Sequence, residues 1–186
     1  NRGQFARHLR QIGYAGHIIS FEPIPSEYRY LAQSFTVDKR WKGLQIALGE
    51  KSGDALLNLT PDSSVMSSML TFVNPPPNLV QEEVQMRRLD EVFAELTASL
   101  RTPRVLLKLD TQGYDTQVFR GAQGCLDQII GLYAELAVTQ LYQNAPSYLE
   151  ALGIYEQAGY RLISLSVNSW SPSGNADEFN CLMSRA

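Results

Sequence analysis

Few side chains in this sequence stand where they could do chemistry. Glu22 follows a short apolar run at 17–21, Asp110 closes another at 105–109, and Glu135 lies inside a third at 131–138. Lys108 and Gln112 flank Asp110 on either side. Runs of this length suit strands and are too short for helices. A strand buried on both faces is almost wholly apolar, so charges at its carboxyl end are unusual. Ligands of open α/β sheets bind outside those carboxyl ends. A carboxylate there could accept two hydrogen bonds from a vicinal diol such as a ribose, the role expected of Glu22. It could also take a proton from a substrate, the role expected of Asp110 or Glu135. Lys108 alternates to the same side as Asp110, and a buried lysine pairs with a carboxylate or shifts its pKa. Blander readings compete. Asp110 could merely cap the next helix, Glu22 could be a surface residue before a proline turn, and Glu135 could face solvent on an edge. The two histidines, His8 and His17, stand on the first helix and at the far end of a strand, away from that rim.

Composition excludes several classes. The 186 residues carry 16 Lys+Arg against 19 Asp+Glu, a net charge of −3, with no basic stretch suited to nucleic acid. Arg87–Arg88 and Lys39–Arg40 read as solvated surface. No apolar run approaches the roughly 20 residues of a membrane span. Cys125 and Cys181 lack metal-ligand spacing and read as buried free thiols in a reducing, cytoplasmic compartment, though a disulfide stays open. No close carboxylate or histidine cluster supports a metal.

The elements that must position these residues alternate. Phe5, Ala6, Leu9 and Ile12 form one helical face, ended by Gly13 and Gly16. A strand at 17–21 follows, then a helix from Pro25 with Tyr28, Leu31, Ala32 and Phe35 as its stripe. Residues 45–48 are expected as a third strand, with 55–60 added to it by a hairpin. Residues 61–83, with four serines and three consecutive prolines, read as a long loop, either a lid or a mobile connection. A short strand at 84–88, a helix from Leu89 to about Leu100, the strand at 105–109 and a helix at 114–123 capped by Gly124 come next. Ser147 and Glu150 form a capping box. A strand at 160–166 is joined to 179–183 with no helical stripe between, so the last strand must run antiparallel. The whole reads as one domain, residues 1–186.

The segment K-L-D-T-Q-G-Y-D-T-Q-V-F-R-G-A resembles the Lys-x-Asp-x-Glu-Gly-x-Glu stretch of FkbM-type S-adenosylmethionine-dependent methyltransferases. F-E-P at 21–23, R-R-L-D at 87–90 and L-Y at 141–142 fit the same family in order. Gln112 and Asp115 stand where many members carry Glu. The resemblance implies a doubly wound, mostly parallel α/β sheet of the class I, Rossmann-like kind with a C-terminal antiparallel strand. It implies that Asn1 and Gly3 are the tail of a glycine-rich loop, and that the strand before it is missing from the chain. It also implies S-adenosylmethionine as methyl donor. Glu22 and Pro23 would then lie at its ribose, Ala47 and Leu48 beside its adenine, and Asp110 near its methyl group. Asp110, Glu135, Lys108 and Gln112 become the candidate catalytic set. The acceptor implied is a hydroxyl on a glycan, a sugar or another small molecule. Two rivals stand: a nicotinamide-dependent oxidoreductase, which needs a full G-x-G-x-x-G loop, and a non-catalytic nucleoside-binding module.

Overall fold

Residues 2–60 and 66–185 are described by a computed structural model of the chain. Helix α1 (Gln4–Gln11) leads to strand β1 (Ile18–Phe21), helix α2 (Pro25–Ser34) and strand β2 (Trp41–Leu44). Strands β3 (Ala47–Leu48), β4 (Gly53–Leu59) and β5 (Val80–Arg87) precede α3 (Leu89–Thr97). Then come β6 (Val105–Leu109), α4 (Asp115–Arg120), a 3-10 segment (Gln123–Gln128) and β7 (Ile129–Ala137). Helix α5 (Tyr148–Gln157), β8 (Tyr160–Trp170) and β9 (Ala176–Arg185) complete the chain.

The strands form three hydrogen-bonded sheets. β1 pairs with β2 in parallel, β5 sits between β3 and β4, and the largest sheet has the order β6-β7-β9-β8. The last two sheets are mixed. This differs from the single, mostly parallel sheet expected. Residues 53–87 hold an antiparallel pair, β4 with β5. β9 is joined to β8 by a tight turn at 171–175, so it runs back, as expected of the last strand. β7 and β8 both run antiparallel to β9 and are therefore parallel to each other.

The main core lies on one face of the largest sheet. Leu107, Leu109, Leu132, Ala134, Leu136, Cys181 and Met183 point into it, against Val118, Phe119 and Tyr155 from the helices. Each fully buried aliphatic side chain contributes about 1.5–3 kcal/mol. Cys125 and Cys181 are both free and buried in this core. Burial pushes the Cys125 thiol up to about 12 and the Cys181 thiol up to about 11. α5 begins with the predicted capping box, Ser147 with Glu150. No helix among the described residues is long and apolar enough to cross a membrane, which says nothing of a β-barrel.

Several local expectations are corrected. The run at 45–48 is not one strand: β2 starts at Trp41, whose ring stacks on Phe35 at 5.1 Å and whose indole N–H donates to Ser20. Only Ala47–Leu48 pairs again, and with β5. β4 is not its hairpin partner; β5 lies between them, because buried Leu57, Val84, Met86 and Ala47 share one cluster. β5 therefore begins inside the expected loop, its alternation hidden by outward Gln81, Glu83 and Gln85. α3 stops at Thr97, whose hydroxyl donates back to the Phe93 carbonyl. β8 runs on to Trp170, shrinking the expected loop at 167–177 to a turn.

Another correction concerns the R-R-L-D stretch. Arg88 is a tie rather than solvated surface. Its guanidinium grips Asp90 at 2.5 Å and donates to the Glu50 carbonyl, while its backbone N–H donates to Ser52 Oγ. Asp90 accepts from the Gly124 N–H, and its own N–H donates to the Gly121 carbonyl. Gly124 is thus held in the 3-10 segment and does not cap α4, which ends at Arg120 because the next residue meets backbone. A Cβ on Gly121 would lie 1.9 Å from the Gly49 carbonyl oxygen. Neither wall can retreat. Gly121→Ala is therefore expected to cost about 3 kcal/mol, the upper end for overpacking, read as a lower urea midpoint; an unchanged midpoint would contradict this account of the corner.

Candidate active site

β6 and β7 are parallel neighbours, with Lys108 beside Tyr133 and Leu109 beside Ala134. One further step along this register brings Asp110 next to Glu135. Period-two alternation sends Leu107 and Leu109 to the core and leaves Lys108, Asp110, Tyr133 and Glu135 on the other face. Lys108 Nζ lies 2.5 Å from Asp110 Oδ2, with the two side chains 20% and 39% exposed. The same ammonium sits 5.3 Å from the Phe5 ring centroid and 6.0 Å from that of Tyr133. Phe5 of α1 stacks on Tyr133 and so covers this side.

The turn after Asp110 is strained in a specific way. Gln112 has φ 53° and Gly113 φ 85°, so a non-glycine residue holds a left-handed conformation. A Cβ on Gly113 would also press on Tyr142 and Ala145. Asp110 does not cap α4; the N-cap position is Tyr114. Buried Asp115 closes the turn instead, its Oδ1 accepting from the Thr111 N–H and hydroxyl, each at 3.0 Å. Burial pushes the Asp115 carboxyl up to about 6, against the pull of the Thr111 bonds. Burial also raises Glu135, to about 8, with Asp110 and Glu178 adding to the rise and Lys108 opposing it.

Residues 66–79 form a strap over this turn rather than a loose connection. Ser68 bridges to Asn58 through both backbone groups, and its hydroxyl donates to the Gln112 carbonyl at 2.7 Å. Phe72 bridges to Tyr142, their rings 4.8 Å apart. The Tyr142 hydroxyl lies 2.8 Å from the Met66 carbonyl and 3.2 Å from Gln112 Oε1. With one proton for two acceptors, it favours the nearer. Positions 61–65, the rest of the expected lid with Ser63 and Ser64, lie outside the described residues, as does Asn1.

A cavity of about 230 Å³ opens beneath the strap, lined among others by Gln112, Asp115, Glu135, Tyr142, Tyr155 and Glu178. Of the four residues expected to be catalytic, Glu135 and Gln112 line it, while Lys108 and Asp110 pair just beside it. Of the expected cofactor-binding residues, Glu22, Pro23, Ala47 and Leu48 stand at the neighbouring strand ends, while Gly3 does not. Glu22 is buried at the end of β1, one oxygen accepting from the Ile24 N–H at 2.9 Å. Pro23 follows it, half-buried. Ala47 joins Ile24 in one packed cluster and Leu48 joins Leu109 in the other. At Gly49 a Cβ would lie 3.2 Å from the Tyr114 ring, so the end of β3 abuts the turn after Asp110. Gly3 stands at the N-cap of α1, against Leu31 and Phe35. None of these lines the 230 Å³ cavity. His8 and His17 are exposed, and no three His, Cys, Asp or Glu among the described residues are placed to hold a metal ion.

Sequence reasoning missed Ser68, Tyr155 and Glu178, whose contributions arise only across the fold. Tyr142 had a signal in the L-Y pair, and Asp115 had one as a charge four residues after Thr111, the spacing of one helical turn.

The family described as "Methyltransferase FkbM domain" matches residues 1–162. No curated protein matches the chain by sequence. The crystal structure of methyltransferase FkbM from Methylobacillus flagellatus KT is similar to it, with a TM-score of 0.55 and 12% identity over 98% of this chain. The chain spans 41% of the length of that protein. At this identity the structural likeness speaks for a shared α/β fold, while the sequence match covers most of the chain. The chain belongs to the FkbM methyltransferase domain family.

Proposed function

We propose that this chain transfers a methyl group from S-adenosylmethionine to a hydroxyl oxygen of a sugar, glycan or other small molecule, at the rim where β6 and β7 end. The observation that carries this reading is the placement of Glu135: a half-buried carboxyl, raised to about 8, lining a cavity with Gln112, Asp115 and Tyr142. A base whose pKa lies near the working pH is well matched to removing a hydroxyl proton.

The residues present suit the methyl donor. Glu22, at the end of β1, would lie at the ribose, and Ala47, Leu48 and Gly49 would border the adenine. Asp110, paired with Lys108, would face the sulfonium end. When bound, S-adenosylmethionine supplies a methyl group already activated by its positive sulfur. The protein's part is then alignment, exclusion of water and removal of one proton. Alignment alone can lower a barrier by about 7–11 kcal/mol in favourable cases. Gln112, held by Ser68 and Tyr142, orients the acceptor hydroxyl, and Glu135 takes its proton. The strap at 66–79 keeps water off the cavity.

We read the three sheets as parts of one doubly wound, mostly parallel class I sheet within a single cytoplasmic domain. β1 pairs only with β2, and β6 only with β7, among the described residues. Each thus keeps an edge where a further parallel strand fits. β9 running antiparallel between β7 and β8 supports the same reading. Neither a nicotinamide-dependent oxidation nor a purely binding role gains support from the family.

Two outcomes test this. A raised carboxyl is protonated below its pKa and becomes a base above it, so kcat should climb as pH rises through about 8. Glu135→Gln should remove that limb and lower kcat by about 10²–10⁴-fold; a profile unaltered by the substitution excludes Glu135 as base. Separately, calorimetry with S-adenosylhomocysteine should show binding that Glu22→Ala weakens by about tenfold, the loss of a charged hydrogen bond of roughly 1.5 kcal/mol. No binding to the unsubstituted protein would sink the donor assignment.

A further inference from the structure

The 230 Å³ cavity adjoins a second of about 290 Å³, with Met66 and Leu141 in the walls of both. The two ends differ in chemistry. The second is walled by Phe72, Val73, Pro76 and Pro77. Phe72 is buried and held against Tyr142, so this apolar wall is fixed. At the other end, Tyr155 is 0% exposed, yet its hydroxyl finds no hydrogen-bond partner among the described residues although it lines the cavity. A buried hydroxyl without a partner is costly, and native structures seldom leave one unexplained. Asp115, whose Oδ1 alone is taken by Thr111, lines the same end. Glu135, Asp177 and Glu178 also line the cavity, while no Lys, Arg or His does among the described residues. This end therefore repels anions.

Resting on the methyltransferase reading above, we infer that the acceptor is amphipathic: an uncharged, hydroxyl-bearing head that reaches Tyr155 and Asp115, joined to an apolar tail lying against Phe72, Pro76 and Pro77. A ligand hydroxyl would give Tyr155 the partner it lacks. Joined, the two cavities fall within the roughly 300–1,000 Å³ of small-molecule sites, which neither reaches alone. Phosphorylated or carboxylated heads are excluded by charge, and a bare sugar would leave the apolar end unfilled.

The test uses the full-length protein and calorimetry with octyl β-glucoside below its micelle concentration, glucose and octyl phosphate. Octyl β-glucoside should bind at least tenfold more tightly than either of the others. Tyr155→Phe should weaken it about fivefold, one hydrogen bond's worth, without lowering the melting temperature, since the phenol hydroxyl has no partner to lose. Leu141→Glu, at the junction, should weaken it as well. Equal binding of octyl phosphate or of glucose, or an affinity untouched by Tyr155→Phe, overturns the inference. A parallel titration with S-adenosylhomocysteine separates the two readings. Its binding without octyl β-glucoside binding sinks the amphipathic acceptor alone; the converse supports the cavity and sinks the methyl donor.

Discussion

The crowding of carboxylates around one cation is the constraint on which the site depends. Asp110 and Glu178 help to raise the Glu135 carboxyl, Asp110 also raises Asp115, and the Lys108 ammonium opposes both rises. Burial of a carboxyl in such company favours its protonated form. The protein distributes the strain by environment. Asp110 takes the ammonium, Asp115 takes two bonds from Thr111, and Glu135 is left with neither. Asp110 and Glu135, neighbours across the two strands, thereby stand in different surroundings. Separation of paired acids in this way is how a site assigns one to charge and another to proton transfer.

The rest of the fold serves to keep that crowding in place. α4 cannot slide, because Gly121 lets its end touch the Gly49 carbonyl and Asp90 holds Gly121 and Gly124 from the other side. Asp90 itself is fixed by Arg88, which holds it below the usual carboxylate range. The strap performs the same service from above, through Ser68 and Tyr142. Gln112 can hold its unfavourable backbone only because both ends of that residue are gripped.

Much of this was legible in residues alone. The charged rim of β6, the alternation along β7, the capping box at Ser147 and the returning last strand follow from local pattern. So does the family, from short motifs in order. What escaped depended on contacts distant in sequence. β5 reads as polar because only Val84 and Met86 face inward, and its partners lie more than twenty residues away. The pairing of Arg88 with Asp90 is local, yet its purpose lies with Glu50 and Gly124. Tyr155 reads as an ordinary apolar position on α5, and nothing nearby reveals that its hydroxyl would be stranded. A long serine- and proline-rich stretch looks loose because its anchors, Asn58, Gln112 and Tyr142, belong to other elements.

The ties on Gln112 have a mechanical consequence. Ser68 holds its carbonyl and Tyr142 reaches its side chain, so the strap and the turn after Asp110 are fastened to one another. Loosening either tie would loosen both, and the backbone amides of strap and turn would then open to solvent exchange as one unit.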